Sequence, residues 1–188
     1  MNVMEAIESR RSIRRFTQQP ISREILEKLV EVSRLYASGR NFQPIRFGIV
    51  SQKENTDKLF PLLKWAGYLP GFTITKEQQP TAYIVLCAEE PAACQFDVGA
   101  ASTSVMLAAR EYGLQTCCLM SFQAQPLRAL LQLPENLKPA MVIALGYPEQ
   151  QSRAVPQEGD CKYFETPDGV LNVPKLSPEQ VICYRDTL

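Results

Sequence analysis

The chain contains no histidine. That absence removes serine–histidine triads, cysteine–histidine nucleophiles and the commonest general base, so hydrolytic chemistry built on imidazole is excluded. Six cysteines are present, at 87, 94, 117, 118, 161 and 183, but no two stand in a Cys-x-x-Cys pair. With neither such pairs nor histidine, no metal site is expected, and zinc in particular has no ligand set to build on. Cys87, Cys117 and Cys118 lie in apolar runs and read as small core residues rather than as a redox pair. No apolar stretch reaches the roughly 18 residues that span a bilayer. The opening Met1-Asn2-Val3-Met4-Glu5 lacks a charged lead followed by an apolar core, so no secretory leader is expected. These absences point to a cytoplasmic protein with no membrane partner.

An excess of either charge is also missing. Lysine plus arginine number 20 and aspartate plus glutamate 20, for a formal net charge of +0. A general nucleic-acid or anionic-membrane surface needs a broad basic face, which this balance denies. Hydrophobic residues make up 45% of the 188 positions and charged ones 21%, near globular averages. The chain is therefore long and apolar enough for one domain with a real core.

Against this neutral background one segment stands out. Ser9-Arg10-Arg11-Ser12-Ile13-Arg14-Arg15-Phe16 places four arginines and two hydroxyls in eight residues. Guanidinium groups present planar, paired donors that match phosphate geometry, and serine hydroxyls add short directional bonds. A phosphate-bearing small molecule is one reading; a solvated arginine patch is the other. An alternating backbone cannot aim every arginine at one place, so one or two are expected to pair with local carboxylates instead.

Periodicity predicts strands alternating with helices, hence an α/β or α+β domain. The expected helices run from Asn2 to Ser9 with a capping box at Asn2 and Glu5, from Ser22 to about Tyr36, from Asn55 to Trp65, from Asp97 to Tyr112, and around Pro126 to Gln132. Strands are expected at Ile45–Ser51, Ala82–Ala88, Gln115–Met120 and Ala140–Gly146. The helix from Asp97 carries little polar surface and is expected in the domain centre or at a subunit interface. Residues 151–188 are proline-rich and polar with little periodicity. They are expected to form an extended arm over residues 1–150 or over a partner subunit.

Several of these segments together resemble the nitroreductase family of FMN-dependent oxidoreductases. Arg10-Arg11-Ser12-Ile13-Arg14 resembles its N-terminal phosphate-binding signature. Ala37-Ser38-Gly39-Arg40-Asn41-Phe42-Gln43-Pro44 resembles its Ala-Pro-Ser-x-x-Asn-x-Gln-Pro loop. Asp97-Val98-Gly99-Ala100-Ala101 with Gly113-Leu114 resembles the ends of its central helix, and Gly146-Tyr147-Pro148 the close of its last core strand.

The resemblance implies an α+β fold with a mixed central sheet flanked by helices, and a homodimer whose two FMN sites are built from both chains. It also implies a C-terminal arm embracing the partner. Arg10, Ser12 and Arg14 would bind the phosphate and ribityl tail, with Arg11 as a further candidate. Asn41 and Gln43 would meet the polar edge of the flavin ring, because amides both donate and accept. Leu119, Met120 and Ser121 match the backbone that contacts the isoalloxazine, where the family often carries glycine, and Arg153 would give a second phosphate contact. Arg40 replaces a small residue and Ile45 an aromatic; Trp65, Tyr68 and Phe72 are pocket-wall candidates, and Tyr163, Phe164 and Val170 would cover the partner or cap the pocket.

The implied function is hydride transfer from NAD(P)H through FMN to a small electron-poor acceptor such as a nitroaromatic or quinone, in ping-pong order. No side chain demands a role as catalytic acid or base, as expected where a cofactor carries the chemistry. Other flavin chemistry on the same scaffold (dehalogenation, flavin fragmentation, substrate oxidation) and flavin binding without turnover are the alternatives.

Overall fold

Two strands of almost unbroken apolar sequence organise the molecule. β2 (Ala82–Ala88) is buried at all seven positions, and β4 (Lys138–Gly146) is buried from Met141 onward. Neither shows a solvent-facing alternation, because both faces of the sheet are covered. One face bears Ile84, Leu86, Ile143 and Leu145, packed with Val98, Ala101 and Val105. The other bears Tyr83, Val85, Val142 and Ala144, packed with Ile13, Phe16, Leu59 and Leu127. β1 (Arg46–Val50) pairs with β2, and β3 (Gln115–Leu119) pairs with β4, giving the order β1-β2-β4-β3. The structure, a computed structural model, describes residues 1–186; positions 187 and 188 of the expected arm lie outside it.

The expected helices are present with shifted ends. α1 (Val3–Ser9) starts at the predicted capping box, with Glu5 N–H donating to Asn2 Oδ1 at 2.9 Å and Asn2 N–H to Glu5 Oε2 at 3.0 Å. α2 (Arg23–Ser33) is capped by Ser22 and buries Leu26 and Leu29. α3 (Lys53–Leu59) ends earlier than the expected Trp65, and a 3-10 turn, Phe60–Leu62, follows. Pro61 accounts for the break, since it offers no N–H and its ring crowds the preceding turn. α4 (Gln95–Glu111) lays Val98, Ala101, Ser102, Val105 and Ala109 on the sheet, and α5 (Ala124–Leu130) buries Leu127 on the opposite face. Gly113, at φ +72°, turns the chain from α4 into β3.

The α+β class is as expected, with one qualification about strand direction. All ladders of the four-stranded sheet are antiparallel. The local order strand–helix–strand suggests parallel neighbours, and β2 and β3 do point the same way; β4 then enters between them. Among the described residues, parallel pairing is confined to a single bridge, Ser12 with Thr116, and to the arm.

The arm has a small sheet of its own that the sequence reading did not anticipate. β5 (Ser152–Pro156) pairs in parallel with β7 (Leu171–Lys175), and β6 (Phe164–Glu165) lies antiparallel on its other side. Gly169, at φ +81°, makes the turn from β6 to β7 possible. A last short helix, α6 (Pro178–Val181), opens with a capping box at Ser177.

Candidate functional site

The arginine run follows α1 as extended chain laid on the edge of the sheet. Ile13 N–H donates to Thr116 O at 3.0 Å, Phe16 N–H to Gln78 O at 2.9 Å, and Thr17 N–H to Tyr147 O at 2.9 Å. Ile13 and Phe16 are fully inside, which fixes the depth of the whole segment. Two buried glutamines hold its backbone from either side. Gln115 Oε1 accepts from Arg11 N–H and Gln150 Oε1 from Arg14 N–H, both at 3.1 Å.

The four guanidinium groups are treated differently. Arg15 Nη1 meets Glu165 Oε1 at 2.7 Å, the carboxylate pairing expected for part of the run. Arg10, Arg11 and Arg14 have no carboxylate partner among the described residues. Arg14 is only 9% exposed, yet it spends a single long bond, from Nη1 to Ser12 O at 3.4 Å. Arg11 Nη1 donates to Arg10 O at 2.6 Å, and burial, then the charge of Arg10, holds its guanidinium below the usual arginine range. Arg11 Nε, Arg14 Nε and Gln150 Nε2 are buried donors without acceptors. Each buried donor left without an acceptor costs about 1–3 kcal/mol. A group of uncommitted cations and donors on one segment suits an anion with several acceptor oxygens, and the phosphate of a flavin nucleotide is such a group.

The arm closes over this segment. Arg14 lies 4.5 Å above the ring centroid of Tyr163, whose ring in turn meets Tyr68 at 5.1 Å. Arg15 lies 4.6 Å above the ring of Phe72. Trp65 instead stacks on Phe60 at 5.6 Å, a packing role, while Phe164 faces outward.

The remaining candidates occupy two other places. Arg40, Asn41 and Gln43 all have left-handed backbone, at φ 50°, 57° and 48°. Such geometry costs a residue with a β-carbon about 1–2 kcal/mol, and it clusters at ligand-binding loops. Within the loop Gln43 N–H donates to Ser38 Oγ at 2.9 Å, and Gln43 Nε2 to Asn41 O at 3.3 Å. The bonds of Asn41 and Gln43 are thus all local, and none joins the loop to the arginine run among the described residues. At the end of β3, Leu119 is buried, Met120 is exposed, and Ser121 O accepts from Lys64 N–H at 3.0 Å. Leu63 bridges Phe122 there, so the chain after α3 fixes the backbone of 119–121.

Arg153 stands on β5 and gives its Nε to Asn172 Oδ1 at 2.7 Å; no hydrogen bond or ion pair among the described residues ties it to the arginine run. Ser12 is half-buried beside that run, through its bridge to Thr116. Gln115, at the start of β3, and Gln150, in the bend between β4 and β5, were not anticipated, since a lone glutamine in such a place carries no distinguishing signal. Of the cysteines expected in the core, Cys87 and Cys117 are buried and Cys118 is half-buried. Burial pushes Cys87 up to about 11 and Cys118 up to about 12, the latter partly offset by the positive charge of Arg10. No cluster of metal-binding side chains and no helix long and apolar enough to cross a membrane occurs among the described residues.

Comparison with known proteins agrees with this geometry. The sequence profile of the Nitroreductase family matches residues 7–68 and 77–147. A protein of Archaeoglobus fulgidus named "Putative NADH dehydrogenase/NAD(P)H nitroreductase" is 31% identical over 159 residues, which cover 79% of this chain and 86% of its own. An FMN reductase of Bacillus subtilis, acting with NAD(P)H by its name, is 26% identical over 172 residues, covering 82% of this chain and 69% of its own. Among solved structures, an FMN-dependent nitroreductase of Clostridium difficile R20291 superposes with a TM-score of 0.69 over 87% of this chain and 98% of its own, at 21% identity, and so shares the fold. With the arginine run, the 37–44 loop, α4 and the end of β4 all inside the matched residues, the chain belongs to the nitroreductase family.

Proposed function

We propose that the chain is an NAD(P)H-dependent FMN oxidoreductase that reduces small electron-poor acceptors, nitroaromatics and quinones among them. The observation that carries this reading is the set of cations without carboxylate partners, Arg10, Arg11 and Arg14, beside three buried donors without acceptors. The names of the relatives support the choice of flavin and of nicotinamide donor.

In this reading Arg10, Arg14 and the Ser12 hydroxyl hold the phosphate, with Arg11 alongside. Asn41 and Gln43 present amides to the polar edge of the ring, and the backbone of Leu119, Met120 and Ser121 lines its plane. When bound, FMN supplies the two-electron redox chemistry between NAD(P)H and the acceptor. The side chains bind, orient and exclude water; with no histidine in the chain, none is needed as a fixed acid or base. Donor and acceptor then use one site in turn, which is a ping-pong order.

That no hydrogen bond joins the 39–43 loop to the arginine run among the described residues supports a site shared between two copies of the chain. Apolar side chains left in water point the same way: Phe96 at the start of α4 is 95% exposed and Phe42 74%. A homodimer would bury them.

The experiment is released-flavin analysis of the purified protein together with light scattering. About one FMN per chain in a dimer is expected, and Arg10→Ala with Arg14→Ala should weaken FMN binding about a hundredfold or more, the loss of two charge-assisted contacts. Unchanged affinity in the double variant would overturn the phosphate assignment. A monomer with stoichiometric flavin would overturn the shared site.

A further inference from the structure

Two arginines adjacent in sequence meet two arm residues spaced two apart. Tyr163 covers the face of Arg14, with ring centroid and guanidinium carbon 4.5 Å apart, and Glu165 takes Arg15 Nη1 at 2.7 Å. In extended chain, residues i and i+2 face the same side, so Tyr163 and Glu165 form one edge, while Phe164 between them points away and is 47% exposed. The two contacts act on a guanidinium in opposite ways. A carboxylate consumes the in-plane donors and cancels the charge. An aromatic ring holds the plane from its face and leaves the in-plane donors and the charge for something else.

That difference matters because Arg14 is buried and lacks a partner for Nε. Left to itself, a long side chain with one bond of 3.4 Å would sample many rotamers. Tyr163 restricts it to one plane, and the ring of the exposed Tyr68 braces Tyr163 at 5.1 Å. Arg14, Arg15 and Tyr68 lie within the residues matched by the family profile, whereas Tyr163 and Glu165 lie beyond its end at 147.

We propose that Tyr163 is a positioning residue for phosphate recognition: it fixes the guanidinium of Arg14 with its donors open to the ligand, while Glu165 withdraws Arg15 from the site. The proposal rests on the flavin reading above, and its test separates the two. Dissociation constants for FMN and for riboflavin, the same ring without the phosphate, are measured on flavin-stripped full-length protein. Tyr163→Leu keeps apolar bulk but removes the ring face, and Tyr163→Phe keeps the face. Thermal unfolding checks that both variants fold.

Tyr163→Leu is expected to raise the FMN constant about tenfold, within the range of a desolvated cation–aromatic contact. Its riboflavin constant should stay at the wild-type value, and Tyr163→Phe should match wild type for both ligands. Equal weakening of FMN and riboflavin would mean general packing, and no change would mean no role; either overturns the proposal while the flavin reading stands. Wild-type protein that binds riboflavin as tightly as FMN would overturn the phosphate reading itself, and the proposal with it.

Discussion

The central strands and the arm are held together by different means. β2 and β4 are held by side chains: seven consecutive buried residues in one and six in the other, pressed between helices and the arginine segment. The arm buries Leu171 and Asn172, and otherwise depends on backbone ladders and polar contacts, such as Asn172 Nδ2 to Val170 O at 2.9 Å and the Arg15–Glu165 pair. A core of the first kind tolerates little change in volume. A sheet of the second kind can open locally at lower cost and close again. The proposed anion site lies between them, with its cations on the core and its cover on the arm.

The largest effect that would sharpen this contrast is a cavity at the sheet centre. Ile143→Ala should cost about 4 kcal/mol, and the equivalent deletion in the arm, Leu171→Ala, about 2 kcal/mol, because a thin sheet collapses around the gap. Urea unfolding of the two variants measures both. Equal losses would show that the arm is an integral part of the core.

Next in size is Gly146→Ala, about 2–3 kcal/mol by overpacking. A methyl group there would stand 2.7 Å from Phe16 Cδ1 and 2.9 Å from Phe16 Cβ, and Phe16 has no free space to retreat into. The same variant should loosen FMN binding, since Phe16 anchors the arginine run. A stable variant with wild-type affinity would break the link drawn between core and site.

The smallest effect is a reactivity order. Cys161 and Cys183 are exposed in the arm, whereas Cys87 and Cys117 are buried under the sheet. Maleimide labelling should modify the arm pair in the native protein and the core pair only on unfolding. The pH dependence has a definite sign. Cys87 ionises at about 11 in the fold against 9.0 for an ordinary thiol, so the fold favours the protonated form. Its contribution to stability is whole below pH 9.0 and declines as the pH rises toward 11. Unfolding free energies at pH 8 and pH 10, for wild type and Cys87→Ala, measure that share.

How much of this was legible in the sequence follows the same division. The core strands announced themselves because their burial is written into consecutive apolar residues, and α1 and α2 because a cap is a local pattern of three or four residues. The arm's ladder joins Ser152 to Leu171, and a pairing between distant segments leaves no periodic trace. In the site, the arginine motif and the 37–44 loop were visible as motifs. That Arg15, rather than its neighbours, is the arginine neutralised by a carboxylate depends on β6 meeting it, which no spacing in the sequence encodes. Gln115 and Gln150 were invisible for the same reason: their role comes from the fold bringing them beside the run, one at the start of β3 and one in the bend before β5.

The seating of Phe16 against Gly146 has a thermodynamic consequence. Because the backbone of the proposed anion site is keyed to the end of β4, it cannot survive when the sheet melts, so the unfolded chain would have no such site to offer. Ligand binding therefore adds to global stability by mass action, about 2.7 kcal/mol at a hundred times the dissociation constant. Opening of the arm alone would leave the keyed segment in place. A melting curve followed against ligand concentration thus counts site occupancy, while hydrogen exchange in β5 and β7 reports the cover separately.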